Sequence, residues 1–308
     1  MATISASMVK ELREATGAGM MDCKKALAAV DGDMEKAVEF LREKGLAAAA
    51  KKASRIAAEG IVYIAAESDQ KSAIVEVNSE TDFVAKNPDF QKFVKEVAEQ
   101  ALVTDAADID AFLAEKWNLD PSLTVAEELS SKIAIIGEKL SIRRFAKFEN
   151  NNGAVVGYVH GGGRIGVLVE AECANIDADV KEALKNVALQ ITSMKPQYVS
   201  REEISEEFIE KERQILKAQA MNENPDKPEN IIDKMIIGRL NKELKEFCLL
   251  DQIYVKDGEM TVGKYIESVA KKVGTPIVIK KFVRFETGEG IEKKEENFAE
   301  EVAKQIQG

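Results

Sequence analysis

The chain is poor in the residues that most protein chemistry requires. Among its 308 residues it holds one histidine, His160, one tryptophan and three cysteines. A single histidine excludes a histidine metal cluster and leaves one imidazole for proton transfer. Cys23, Cys173 and Cys248 are widely separated and odd in number, with no Cys-x-x-Cys pair, so neither a disulfide frame nor a zinc site is indicated and a reducing compartment is expected. No apolar run approaches the ~20 residues of a membrane span. The start, Met-Ala-Thr-Ile-Ser, lacks the basic-then-apolar order of a signal peptide, so a cytoplasmic protein with no membrane partner is expected. A basic excess is missing as well. With a net charge of −11 and lysines interleaved with acids, no phosphate-binding field is available, and the expected partner is protein rather than nucleic acid.

What is present is ordinary for a folded protein: 45% hydrophobic and 31% charged residues, in a length that suits two or three domains. Residues 1–46 read as a compact three-helix module. Ser5 or Ser7 caps a first helix with Met8, Val9 and Leu12 at helical spacing, Thr16-Gly17-Ala18-Gly19 breaks it, and Met20 to Val30 forms a second. Asp31-Gly32-Asp33 turns into a third, Met34 to Lys44, closed by Gly45. Its apolar inventory is small, which suits a module that presents a surface, and Met20-Met21 offers flexible thioethers for contact; one of that pair could equally serve as internal filler. Residues 47–58 are Ala- and Lys-rich without an apolar stripe and read as a solvated helical linker.

From residue 59 the chain repeats itself. Gly60 to Ile64 with Ile74 to Val77 aligns without gaps to Gly153 to Gly157 with Val167 to Glu170, at an offset of 93, and each copy reads as a β-hairpin. The following helix, Phe90, Phe93, Val94, Val97, Ala101, matches Val180, Ala183, Leu184, Val187, Ile191 at an offset of 90. The first copy is thus three residues longer between strand and helix. A second helix and a last strand, Thr124 to Gly137 and Ile142 to Glu149, match Thr261 to Gly274 and Ile279 to Glu286 at an offset of 137. The expected fold is α+β: the three-helix module, then two duplicated three-stranded antiparallel subdomains with helices on one face, over 59–150 and 151–290.

The second copy carries an insertion over about 196–252 that reads as an antiparallel helical hairpin, with Ile204, Phe208 and Ile215 on one helix and Ile232, Met235, Ile236, Leu240 and Leu244 on the other. A second contact arm, a homodimer seam and a hairpin folded on its own core all remain open for it. Residues 291–308 read as a charged terminal helix with Ile291, Phe298, Val302 and Ile306 along one side.

Two glycine motifs look like nucleotide sites and fail on context. Gly161-Gly162-Gly163-Arg164-Ile165-Gly166 satisfies G-x-G-x-x-G but joins two strands, whereas a dinucleotide fingerprint needs a strand followed by a helix. Gly258 with Gly263-Lys264 gives G-x-x-x-x-G-K, but Tyr265 replaces the hydroxyl that would hold magnesium. No cofactor, metal or catalytic residue is expected. His160 sits beside the hairpin turn with no nucleophile to activate, and reads as a surface or contact residue.

The extra residues of the first copy fall in the stretch Thr81-Asp82-Phe83-Val84-Ala85. Asn87-Pro88-Asp89 reads as cap, first position and acidic first turn of the next helix, which leaves Thr81 to Val84 on a loop. Phe83 there is either a satellite core residue or an exposed tool.

Three segments now carry a resemblance: Val9 to Leu27 around Thr16-Gly17-Ala18-Gly19-Met20-Met21-Asp22-Cys23-Lys24, the loop Glu80-Thr81-Asp82-Phe83-Val84, and the hairpin from His160 to Val167. Together they resemble the bacterial elongation factor Ts family over the whole length. The resemblance implies a UBA-like amino-terminal module and a non-covalent guanine-nucleotide exchange factor that binds elongation factor Tu. It implies that Thr81, Asp82, Phe83 and Val84 enter the partner's GTPase domain near its magnesium, with Phe83 as wedge. Arg13, Met20, Met21 and Lys24 would dock on the same domain, and His160 on a more distant one. A two-by-two complex through the helical hairpin is also within what it implies.

Overall fold

The computed structural model describes residues 4–292; residues 293–308, on which the expected terminal helix falls, lie outside the described residues. The chain opens with α1 (Ala6–Thr16), α2 (Met20–Ala29) and α3 (Met34–Lys52). Ser5 caps α1 by accepting the Met8 N–H at 3.2 Å, and Gly17, in the left-handed region at φ 68°, closes it. Val9, Leu12, Cys23, Ala26, Leu27 and Ala37 make the small core of these helices.

Helix α3 does not stop at Gly45. It runs on to Lys52, and Gly45 is buried inside it. The reason is tertiary: Gly45 faces another helix, where a Cβ would stand 3.5 Å from the Ser130 carbonyl oxygen, an ordinary contact distance, so the helix continues through it against that neighbour. The sequence cue for a helix end was here a packing cue.

The first half comprises β1 (Glu59–Ser68), β2 (Lys71–Ser79), α4 (Asp82–Ala85), α5 (Pro88–Val103), α6 (Ile109–Ala114), β3 (Lys116–Trp117), β4 (Asp120–Thr124), α7 (Val125–Ile136) and β5 (Ser141–Glu149). Helix α7 is the partner of α3. The second half comprises β6 (Gly153–His160), β7 (Ile165–Cys173), α8 (Ala178–Met194), α9 (Glu206–Glu223), α10 (Glu229–Phe247), β8 (Ile253–Tyr254), β9 (Asp257–Thr261), α11 (Val262–Val273) and β10 (Ile277–Glu286). The sheets are antiparallel with orders β1-β2-β5 and β6-β7-β10, so the molecule is α+β with one strand order used twice. None of the described helices is long and apolar enough to cross a membrane.

Pairing corrects the gapless alignment. Ile61 pairs with Val77, and Ala154 with Ala171, so the first strands are 93 residues apart and the second strands 94. Glu76 therefore corresponds to Glu170, and the difference before the next helix is four residues rather than three. A one-residue slip exchanges the two faces of a strand. The sequence pattern was blind to it because β2 is buried on both sides.

That double burial is the main feature of the architecture. On one face Val75 and Val77 meet Phe90, Phe93, Val94 and Val97 of α5; in the second half Val169 and Ala171 meet Val180, Leu184 and Val187 of α8. On the other face the sheets pack on each other through Val62, Ile74 and Phe148 from one and Val155, Leu168 and Phe285 from the other. The layers run helix, sheet, sheet, helix. Gly166 permits the approach, since a Cβ there would lie 2.5 Å from Val62 Cγ1. The contact is reciprocal: Arg144 lies over the Phe285 ring at 4.3 Å and Lys281 over the Phe148 ring at 4.4 Å, each half's cation on the other half's aromatic. Such an exchange of equivalent contacts is the mark of an approximate two-fold relation.

Two short ribbons that sequence reading missed extend the duplication. Buried Gln100 donates to the Lys116 carbonyl at 3.2 Å and accepts the Asn118 N–H at 2.9 Å; Gln190 does the same with Ile253 at 3.0 Å and Val255 at 2.8 Å. The turn Gly161-Gly162-Gly163 joins β6 to β7 as a hairpin turn, with positive φ at all three glycines. Helices α9 and α10 form the expected hairpin around Leu216, Ala220, Ile232, Ile236, Leu240 and Leu244, but Ile215 points outward and Leu216 takes its place inside.

Candidate functional site

The four extra residues of the first half are a helical turn, α4, and not a loop. Thr81 is extended at φ −124° and caps it, its hydroxyl accepting the Val84 N–H at 3.3 Å, and the Lys86 N–H closes it on the Asp82 and Phe83 carbonyls. Asn87 then caps α5, accepting from Asp89 at 2.8 Å. Two caps within seven residues hold a turn that would have no stability by itself.

The four side chains divide by role. Thr81 is spent on the cap, and Val84 packs with Ala85 against the first core. Asp82 is exposed and paired with Lys86 at 2.6 Å; that ammonium holds its carboxyl below the usual carboxylate range. Phe83 is 81% exposed, the largest exposure of any large hydrophobic residue among those described. The satellite-core reading of Phe83 is excluded in this structure. The ring stands in water on a doubly capped turn and joins none of the hydrophobic clusters of the described residues.

A carboxylate clamp, which sequence reading did not single out, fixes the base of this turn. Glu138, in the connection from α7 to β5, accepts the N–H groups of Glu80 at 3.1 Å and Thr81 at 3.0 Å with one oxygen and the Thr81 hydroxyl at 2.7 Å with the other. In return Glu80 accepts the Lys139 N–H at 2.6 Å, and Arg55, just beyond α3, reaches Glu80 at 3.3 Å.

On the helical module Met20 and Met21 are 58% and 63% exposed, so neither is internal filler, and Arg13 and Lys24 are exposed as well. Gly19 starts α2 directly after the Gly17-Ala18-Gly19 turn, which places the two thioethers in the first turn of a helix. His160 is exposed at the end of β6, where its Nδ1 meets the Tyr158 hydroxyl at 3.1 Å. Its turn leans on the first sheet: Gly163 accepts the Val62 N–H at 2.7 Å, in the half of β1 that pairs with the end of β2 leading to Phe83. No hydrogen bond, ion pair or ring contact among the described residues joins His160 to the Phe83 turn or to the module.

Fold and site define a class: an α+β protein with an exposed aromatic on a braced turn and an exposed methionine pair on a separate module, surfaces of the kind that meet another protein. Comparison with known proteins narrows it. The profile of the family described as Elongation factor TS matches residues 80–289. The chain is 58% identical over 307 residues to elongation factor Ts of Clostridioides difficile (strain 630), covering 99% of this chain and 100% of that protein. It is 53% identical over 304 residues to that of Clostridium novyi (strain NT), covering 98% and 99%, and 56% over 302 residues to that of Clostridium perfringens (strain SM101 / Type A), covering 98% of each. The chain belongs to the elongation factor Ts family, and is thus a translation elongation factor.

Proposed function

We propose that this chain is a guanine-nucleotide exchange factor for elongation factor Tu, acting by binding alone. The observation that carries the reading is the Phe83 ring, exposed on a braced helical turn in the half of the molecule to which the helical module is docked. Exposed Met20, Met21, Arg13 and Lys24 dock on the GTPase domain of the partner; Phe83, with Asp82 beside it, enters near the magnesium; His160 reaches a more distant domain.

The physics follows from how a GTPase holds GDP. Backbone donors and a magnesium ion offset the phosphate charge, so displacing the metal leaves that charge uncompensated and speeds nucleotide loss. Each tenfold loss of nucleotide affinity requires about 1.4 kcal/mol, supplied by tighter binding of the factor to the nucleotide-free state. Linkage makes the effect mutual: incoming nucleotide weakens the factor's grip by the same ratio and releases it. The free factor binds no nucleotide in this scheme.

The test is release of fluorescent GDP from elongation factor Tu chased with unlabelled nucleotide. The wild-type chain accelerates release. Phe83→Ala lowers that acceleration at least tenfold while stability changes by less than about 0.5 kcal/mol, since little of the ring is buried. No acceleration by the wild type overturns the reading. A large loss of stability in Phe83→Ala would overturn the role given to Phe83.

A further inference from the structure

We infer that Glu138 is a positioning residue for the Phe83 turn, and that Glu80 completes the device; the inference rests on the exchange reading above. The geometry is unusual for a surface carboxylate. Both oxygens of Glu138 are used, all on two adjacent residues, Glu80 and Thr81, that immediately precede the turn. Thr81 is the cap of that turn. A carboxylate that accepts two consecutive backbone N–H groups and the cap hydroxyl fixes the direction in which the chain leaves β2, and therefore where Phe83 points. Glu80 runs the opposite way to Lys139, so the two connections hold each other by reciprocal charge-assisted bonds. Arg55 joins through Glu80, and the Lys139 ammonium donates to the Arg55 carbonyl at 2.8 Å, which ties the end of the helical module's last helix to the same point.

The duplication supplies an internal control. In the second half the residue at the place of Glu138 is Thr275, whose buried hydroxyl has no hydrogen-bond partner, and the residue at the place of Glu80 is Ala174. The second half also lacks the four-residue turn: Asn175 and Ile176 lead straight to the cap Asp177. The carboxylates are present where there is a turn to aim and absent where there is none. A clamp needed merely to close the helix-to-strand connection would serve both halves, since α7 to β5 and α11 to β10 are otherwise alike.

The experiment compares Glu138→Ala, Glu138→Gln and each combined with Phe83→Ala. In the GDP-release assay Glu138→Ala lowers maximal acceleration about tenfold with little change in the factor concentration giving half of it. Glu138→Gln, which keeps one accepting oxygen, loses about threefold. In the Phe83→Ala background Glu138→Ala has no further effect, because a positioning residue has nothing left to position. Amide hydrogen exchange on the free protein gives a second readout: residues 80–85 exchange at least tenfold faster in Glu138→Ala while those of β2 and α5 do not. Undiminished maximal acceleration, losses that multiply in the double variant, or a loss confined to half-saturation each overturn the inference. If the wild type itself does not accelerate release, the exchange reading has failed, and the hydrogen-exchange result alone decides whether Glu138 holds the turn. If Glu138→Ala does not fold, Glu138→Gln carries both measurements, and wild-type values in both would overturn it.

Discussion

The two halves share strand order, helix placement and even the buried glutamine that braces each ribbon, yet they face different neighbours. Helix α7 offers Ser130 and Ser131 to the buried Gly45 of α3, so the helical module packs on the first half. At the corresponding places α11 carries Glu267 and Ser268, with Lys271 and Lys272 following, and its outer face is solvated. The turn that carries Phe83 exists only in the first half, and the helical hairpin only in the second. One duplicated frame thus specialises by what is inserted at its connections and by the size of side chains on one helix face. The shared strand positions hold the frame together, as the reciprocal Arg144–Phe285 and Lys281–Phe148 contacts show.

The largest test of this comparison concerns Glu76 and its counterpart Glu170. Glu76 is fully buried and accepts from Arg143 at 3.0 Å, Arg144 at 2.6 Å and the Gly288 N–H at 2.8 Å, whereas Glu170 pairs with a half-exposed Lys281 at 3.1 Å. Removing the buried acid takes a shared acceptor from two arginines, the Gly288 N–H and the Asn78 amide. Glu76→Ala is therefore expected to cost about 3 kcal/mol in urea unfolding followed by Trp117 fluorescence, against about 1 kcal/mol for Glu170→Ala. Equal losses would mean that the two halves use this position alike.

A smaller effect separates Glu286 from Glu149, its counterpart at the end of β5. Arg284 and then Lys195 draw the Glu286 carboxyl down to about 2. With the folded-state value depressed, the stabilisation is present above the ordinary value near 4.5 and is lost as pH falls toward 2. Glu286→Gln should lose on the order of 2 kcal/mol at pH 7 and almost nothing near pH 2, while exposed Glu149→Gln changes stability by less than about 0.5 kcal/mol at pH 7. A pH-independent Glu286→Gln effect would remove charge as the cause.

Shortening the first half to the pattern of the second, by deleting Asp82 to Ala85, should leave a folded protein about 1 kcal/mol less stable, the loss coming from Val84 and Ala85. It should abolish acceleration of GDP release; retained activity would move the function off the turn. The least effect belongs to the packing of α3 on α7. Gly45→Ala places its methyl at 3.5 Å, an ordinary contact, and relieves a glycine inside a helix, so stability should rise by up to about 1 kcal/mol. A fall would show that α3 and α7 pack more tightly at Gly45 than this distance implies.

Much of this was readable from residue order. The capped helices, both hairpins and the helical insertion follow from local periodicity and turn residues, and the exposed methionines and Phe83 were singled out from short motifs. Where reading failed, the reason was a neighbour distant in sequence. Gly45 ends no helix because Ser130 lies against it, and Ile215 yields to Leu216 because the packing of α9 on α10 sets the face. The repeat slipped by one at β2 because both of its faces are apolar. Glu138 stood out in no motif, since its partners, Glu80 and Thr81, are nearly sixty residues earlier in the chain.

Spacing along the chain thus carried the long helices, both hairpins, the duplication and the place where one copy exceeds the other. Packing between distant segments set the rest: the sheets meet face to face, the excess is a clamped turn with its aromatic in water, and the helical module rests on the first half. Those outcomes depend on which surfaces separated by tens to hundreds of residues fit together, and alternation of apolar and polar residues records that a face is buried without recording what covers it.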